Sequence, residues 1–164
     1  MPVYARAIDH SGDVQSDLLL PTSKKIKLTE DGGIAVLMVN KSGASTVKGL
    51  LVQLLSTRNL SVQAIVKDVP APIGVFLDDG IPDGSPAWVV ISGVAYVLYV
   101  GNVTAGHLAR GFLTSDGASY IPGYALSEPF PSSPFASDKH FYEIGHTAES
   151  RTGAGLALTI LHFN

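Results

Sequence analysis

The residues best suited to chemistry in this sequence are its five histidines, at positions 10, 107, 140, 146 and 162. His140 and His146 lie six residues apart, a spacing that places two side chains on the same face of one β-strand. His162 falls in the next predicted strand, so these three imidazoles could converge as zinc ligands in a small cupin-type barrel enzyme. Polar side chains on a solvent-facing sheet account for the same residues, and we expect no metal site.

The densest carboxylates, Asp78, Asp79 and Asp83, flank glycines and lack the Asp-x-Asp-x-Asp-Gly pattern of a calcium loop. Aspartate is typical of turns, where it bonds to the nearby backbone. The segment 145–150 contains a histidine, a glutamate and a serine, and a turn between two strands explains it more simply than a catalytic triad. No nucleophile elbow, His-Glu-x-x-His pair or Walker loop is present. We therefore expect no enzymatic activity and no cofactor.

A pattern that occurs twice organises the elements that must position these residues. An Ile-Gly pair at 73–74 is followed ten residues later by Gly84 and an apolar run. A second Ile-Gly pair at 144–145 is followed at the same distance by Gly155 and another apolar run. Each copy is typical of a strand, a glycine-bearing turn and a second strand. The sequence predicts two related β units in tandem.

Composition favours a protein that works in an assembly. Charged residues make up 15% of the 164-residue chain, and the formal net charge is −3. This balance argues against a nucleic-acid surface, which needs clustered Lys and Arg. The longest apolar stretch, 86–100, is too short for a membrane helix, and cysteine is absent, which excludes disulfides. A weakly charged surface suits contact with other subunits, because interface cores are depleted in charge.

Short segments rich in Val and Ile, separated by Gly, Pro, Asn or Asp, predict an all-β fold, a small β-barrel or sandwich. The predicted strands are 34–39, 50–54, 62–66, 73–77, 87–91, 94–100, 107–113, 120–125, 140–146 and 156–163. Ser92-Gly93 predicts a two-residue hairpin turn between the strands on either side of it. Those two strands are apolar at nearly every position, which indicates cover on both faces.

Two segments differ in character from this β domain, which spans 33–164. Residues 1–32 lack sustained periodicity and are predicted to form an extended N-terminal arm, which could include one short strand. Its apolar side chains, expected to contact a neighbour, are Tyr4, Ile8, Leu18 and Leu19. The segment 126–138 is predicted to be an inserted loop, because its prolines cannot donate to a central ladder. Its phenylalanines, Phe130 and Phe135, could grip a partner or cover the domain's own core.

Several of these segments resemble head decoration (cement) proteins of tailed bacteriophages. The motifs that carry the resemblance are Asn-Lys-Ser-Gly at 40–43, Pro-Ile-Gly-Val at 72–75, Trp-Val-Val-Ile at 88–91, Gly-Asn-Val-Thr-Ala-Gly-His-Leu at 101–108 and Ile-Gly-His-Thr-Ala-Glu at 144–149. They extend over roughly 34 to 164, apart from the Pro/Phe loop. The resemblance implies a virion structural protein on the outer surface of the phage head. Its implied partners are the major capsid protein and copies of itself, as a homotrimer.

On this interpretation the strand residues expected to make core or subunit contacts are Trp88, Tyr96, Leu98 and Tyr99. Two alternatives stay open. One is a receptor- or glycan-binding β module of a phage tail or spike, which clustered aromatic and polar side chains on an exposed loop would favour. The other is the metal-dependent barrel that uses His140, His146 and His162.

Overall fold

The computed structural model describes residues 13–14, 26–56, 60–66, 72–113, 116–117, 120–130 and 142–162. Within these ranges the regular structure is β-strand, and no helix is long and apolar enough to cross a membrane. The strands are β1 (Asp13–Val14), β2 (Ile26–Leu28), β3 (Gly33–Asn40), β4 (Leu51–Ser56), β5 (Ser61–Ala64), β6 (Gly74–Phe76), β7 (Pro86–Tyr99), β8 (Leu108–Arg110), β9 (Leu126–Glu128), β10 (Glu143–Thr147) and β11 (Gly155–Leu161). The predicted all-β fold is confirmed.

The order of the strands confirms the two related units. From its outer edge toward the centre of the sheet, the first unit has the order β5-β4-β6-β7, and the second has the equivalent order β9-β8-β10-β11 from the opposite side. The units meet where β7 pairs antiparallel with β11, from Gly93↔Leu161 to Tyr99↔Gly155. In both, the predicted hairpin is formed, by β6 with β7 and by β10 with β11.

The repeated Ile-Gly pair is explained by close contact across each hairpin. A Cβ atom on Gly74 would lie 2.5 Å from the carbonyl oxygen of Val90 on the partner strand. A Cβ atom on Gly145 would collide in the same way with the carbonyl oxygen of Ile160. Because these obstacles are backbone atoms, no side-chain rearrangement can relieve them. Glycine is therefore required at the same place in both units.

The glycine that precedes each hairpin repeats its hydrogen bonds as well. Gly49 donates its N–H to the carbonyl of Phe76, two residues after Gly74. Gly106 donates to the carbonyl of Thr147, two residues after Gly145. Both glycines have positive φ, 79° and 84°, in a backbone turn that suits glycine. The sequence repeat is thus a repeat of backbone geometry.

The predicted hairpin turn at Ser92-Gly93 is wrong, because β7 runs through it as one strand. Opposite Ile34 and Ala35 of β3, the partners are Ser92 and Val90, so β7 carries one extra residue, a β-bulge. Gly93 follows with φ +80°. A bulge and a left-handed glycine bend a strand without ending it. The first half of β7 consequently pairs with β3 and β6, and its second half pairs with β11.

The extra pairing of β3 closes part of the sheet into a ring. β3 pairs antiparallel with β7 and parallel with β5, so the circuit β3-β5-β4-β6-β7 returns to β3. β11, β10, β8 and β9 continue outward from β7. The fold is therefore a partial ring with a sheet extending from it, rather than the simple barrel or sandwich that the sequence suggested.

Two apolar clusters lie on opposite faces of β7, as its nearly continuous apolar sequence predicts. Val89 and its alternate neighbour Ala87 belong to one cluster, and Val90, Ala95 and Val97 belong to the other. Side chains that alternate along a strand point to opposite faces. The first half of β7 is thus packed on both sides, whereas its second half contributes to one cluster.

Three further boundaries differ from the predictions. Residues 120–125 form no strand, because Pro122-Gly123 makes a turn in which Tyr124 donates its N–H to Ile121. The start of the predicted Pro/Phe loop is strand β9, which pairs with β8. Of the strand predicted at 140–146, the described part is β10, Glu143–Thr147, and residues 140 and 141 lie outside the described residues. Within the predicted arm, β2 pairs with β3 and β1 pairs with β2.

The contact at Gly74 predicts a specific sensitivity. Gly74→Ala should lower the free energy of unfolding by about 2–3 kcal/mol, since the methyl group forces β6 away from β7. Urea unfolding measures this value. Gly101→Ala is the matched control: its Cβ meets nothing within 4 Å, so its effect should be below about 1 kcal/mol. Equal effects of the two substitutions would contradict the close-contact explanation.

Candidate functional site

A β-bulge in β10 brings two chemically capable side chains to one face of the second unit. Glu143 and Gly145 of β10 lie opposite Arg110 and Ala109 of β8, so Ile144 is an extra residue. Residues three apart on a regular strand point to opposite faces, but the bulge reverses this for Glu143 and His146. Ile144 turns into the core instead, where it is fully buried.

His162 joins these residues from the next strand. His146 lies opposite Ile160, and His162 is two residues further along the same face. The Nε2 atoms of His146 and His162 lie 3.4 Å and 3.6 Å from Oε1 of Glu143. The two imidazole rings are 4.7 Å apart between centroids. We call Glu143, His146 and His162 the Glu-His-His cluster.

The two imidazoles of the cluster lie at the surface, whereas its carboxylate is buried. Side-chain exposure is 34% for His146, 42% for His162 and only 7% for Glu143. Phe130 stacks on the His146 ring, with centroids 5.3 Å apart and an angle of 17° between the planes. Phe130 is itself 53% exposed. One of the two predicted loop phenylalanines therefore borders this cluster.

A buried ion-pair network lies on the adjoining strands. Arg110 is 4% exposed and makes two 2.7 Å hydrogen bonds to the carboxylate of Asp116 and one of 2.5 Å to Glu128. Burial by itself lowers the pKa of the Arg110 guanidinium, but the hydrogen bonds and charges of both carboxylates raise that pKa overall. The network connects β8 with β9 and with Asp116, which has 3₁₀ conformation.

Several other candidate metal-binding or catalytic side chains accept hydrogen bonds from backbone N–H groups in turns. Asp79 accepts the N–H of Lys48, and Asp83 accepts that of Gly43. Glu149 and Ser150, which with His146 suggested a triad, accept backbone N–H groups of Leu158 and Ala105. These contacts fit the turn interpretation of the aspartates and of 145–150.

The four predicted strand contacts fall into two kinds. Tyr99 and Leu98 are buried within this chain. Trp88 and Tyr96 are half-buried, and each has a lysine over its ring. Lys27 Nζ lies 4.6 Å from the Trp88 centroid and Lys48 Nζ lies 5.2 Å from that of Tyr96, as in cation–π pairs. Contact of these residues with another subunit stays a prediction.

Several predicted residues lie outside the described part of the chain. They are Tyr4, Ile8, Leu18, Leu19, Phe135 and His140. The sequence reasoning also missed Glu143 and Arg110. The sequence did contain a signal for Glu143, since a glycine within a strand, here Gly145, indicates a bulge. The face to which the bulge turns Glu143 depends on how β10 pairs with β8. Arg110 lay inside a predicted strand, and nothing local marked its distant partners.

The fold is similar to that of a solved structure of a phage component. It matches the head fiber gp8.5 N base of bacteriophage phi29 with a TM-score of 0.51 and 13% sequence identity, over 78% of this chain and 92% of that one. Comparison with protein-family models and with curated proteins finds no match. At this identity the likeness shows a shared fold.

The Arg110 network predicts a large loss of stability when its cation is removed. Arg110→Ala should lower the free energy of unfolding by about 3 kcal/mol, because it leaves two largely buried carboxylates without their cation. Urea unfolding at neutral pH measures the loss. Lys41→Ala removes a charge from an exposed residue and should change stability by less than about 0.5 kcal/mol. An Arg110→Ala loss as small as that of Lys41→Ala would refute a structural role for the network.

Tyr99 predicts a loss of stability at alkaline pH. Burial raises the pKa of its phenol, although the 2.7 Å hydrogen bond with Thr159 opposes this. The pKa of this phenol is higher in the folded protein than in the unfolded chain. Its contribution to the free energy of unfolding is therefore fully present below about pH 10 and decreases as the pH rises further. Tyr99→Phe should cost about 1 kcal/mol at pH 8 for the lost hydrogen bond. The stability difference between the two proteins should then shrink at higher pH.

Urea unfolding at pH 8 and at pH values above 10 measures that difference. Thr159→Val removes the same hydrogen bond but keeps the phenol, so it should retain the alkaline decline. Identical alkaline slopes for Tyr99→Phe and the unaltered protein would contradict the assignment to Tyr99.

Proposed function

We propose that this protein is a structural component of a bacteriophage head, a decoration protein that binds major capsid subunits on the outer surface. The observation that carries the proposal is the fold shared with the head fiber base of phage phi29. The motifs that resemble decoration proteins point independently in the same direction. On this proposal the protein acts mechanically and catalyses no reaction.

The surface of the described residues suits permanent contact. Large apolar side chains are exposed at many separate positions: Leu28, Ile34, Val47, Leu55, Val66, Ile121, Phe130 and Ile160. Leu28 and Ile34 lie directly opposite each other on β2 and β3, so they form one apolar pair. Interfaces of permanent assemblies are large and apolar at their centres. A surface with few charges supports binding to a shell of repeated subunits.

The proposed mode of binding uses repetition. A homotrimer placed over a symmetry axis would apply the same modest contact several times, so the contacts reinforce one another. The N-terminal arm would add contact with neighbouring capsid subunits through Tyr4, Ile8, Leu18 and Leu19. An arm that becomes ordered on binding can cover a wide surface.

One observation favours the glycan-binding alternative. Phe130 is exposed and stacks on a half-exposed histidine, an aromatic and polar pair of the kind that sugar sites use. The pair consists of two rings alone, so we prefer the capsid role. Binding of the isolated protein to a glycan array would support the alternative.

The capsid role predicts saturable binding to heads. The full-length protein should co-sediment with purified expanded heads of its own phage and raise their resistance to heat or to osmotic shock. A variant with Tyr4→Ser, Ile8→Ser, Leu18→Ser and Leu19→Ser should bind at least ten times more weakly, since each buried apolar side chain contributes about 1.5–3 kcal/mol. Circular dichroism checks that the variant keeps its fold.

A matched control removes exposed apolar side chains from the folded body. Leu55→Ser with Val66→Ser tests whether any loss of apolar surface has the same effect. Head binding that is weakened only by the arm variant supports the proposed contact between the N-terminal arm and the capsid. Equal binding by the arm variant and the unaltered protein contradicts the arm, whereas absence of the unaltered protein from purified heads contradicts the capsid role.

A further inference from the structure

We propose that Glu143, His146 and His162 form a binding site for a zinc ion on the outer face of the second unit. All three ligand atoms, Oε1 of the glutamate and one nitrogen of each imidazole, lie within 4.8 Å of one another. The carboxylate oxygen lies 3.4 Å from Nε2 of His146 and 3.6 Å from Nε2 of His162. The site goes beyond the proposed capsid role and does not depend on it.

These separations match the geometry of zinc. Ligand atoms placed about 2.1 Å from a tetrahedral zinc ion lie about 3.4 Å from one another. The two carboxylate–imidazole separations already have this value within 0.2 Å. The third edge joins the two imidazole nitrogens and is at most 4.8 Å, so these atoms must approach each other by up to about 1.4 Å to reach the tetrahedral value.

The donor set selects the class of metal. Two imidazole nitrogens and one carboxylate oxygen suit zinc, whereas calcium and magnesium prefer oxygen ligands alone. Three protein ligands leave a fourth position, and the exposure of both histidines directs that position toward solvent. Water would complete the coordination there.

The repeat within the chain supplies an internal comparison. Counted from the shared hairpin glycine, the positions of Glu143 and His146 are occupied in the first unit by Pro72 and Val75. The first unit forms the equivalent hairpin with Val75 in its strand and Pro72 just before it. The fold therefore does not require a carboxylate and an imidazole at these positions. The cluster is an addition specific to the second unit.

The neighbours of the cluster hold it in place. Glu143 is buried, and its backbone position is fixed by the bulge against β8. His162 donates its backbone N–H to the carbonyl of Ile144, which sets where its side chain emerges just beyond β11. Stacking of Phe130 restricts the His146 ring. A bound zinc ion would fasten β10 to the residue that follows β11.

Titration of the untagged, full-length, chelator-treated protein with zinc chloride tests the site. Isothermal calorimetry should show saturable binding of one ion per chain, and excess zinc should raise the melting temperature, because the ion binds the folded state. Cobalt chloride should produce the visible absorption bands of a low-symmetry nitrogen and oxygen site. His146→Ala and His162→Ala should each weaken zinc binding at least tenfold.

Two controls separate this site from other histidines. His107→Ala removes an imidazole whose ring faces Ser127, and it should leave the affinity unchanged. His140→Ala tests the histidine that the sequence placed with His146 and His162. Zinc binding that is lost in His107→Ala or His140→Ala but kept in His162→Ala would overturn the proposal, as would the absence of saturable binding by the unaltered protein.

Both histidine variants alter surface side chains, so they are expected to fold. If either does not, Glu143→Gln provides a variant of the same size, and the titration of the unaltered protein still decides whether an ion binds. Failure to bind zinc would leave head attachment unaffected. Failure of head attachment with intact zinc binding would overturn only the capsid role.

Discussion

Antiparallel pairing between the second half of β7 and β11 is the interaction on which the rest of the structure depends. It joins two units that are each incomplete, since each would otherwise expose an unpaired strand edge. It is possible only because β7 continues past Ser92-Gly93, bent by a bulge and by a glycine with positive φ. The same strand closes the ring through β3 and carries the core on both faces.

The two units show how one framework supports different surfaces. Their glycines are fixed by backbone contact, at Gly74 against Val90 and at Gly145 against Ile160. Side chains that make no such contact are free to differ. The second unit therefore carries the Glu-His-His cluster and the Arg110 network on a framework that the first unit builds without them.

Sequence reasoning predicted the fold class and most strands because their signals are local. Alternation of apolar residues and glycine spacing depend on neighbours within a few residues, and the double repeat is a comparison of two such local patterns. It failed at Ser92-Gly93, where the same residues make a turn or a bend according to which strands lie alongside. It failed at 120–125 because apolar content outweighed the Pro-Gly turn signal. For the Glu-His-His cluster, sequence reasoning identified His146 and His162 but grouped them with His140 rather than with Glu143.

The amino-acid sequence by itself determined an all-β chain of two related units, with glycine where each hairpin brings backbone against backbone. These properties follow from steric limits on single residues and from the twofold periodicity of strands. Only the tertiary structure decided which side chains meet. The bulge at Ile144 turns Glu143 toward His146, and the pairing of β10 with β11 brings His162 beside them. The face to which a side chain points, and the side chains that it contacts, depend on the register between paired strands. The residues around a single position do not determine that register.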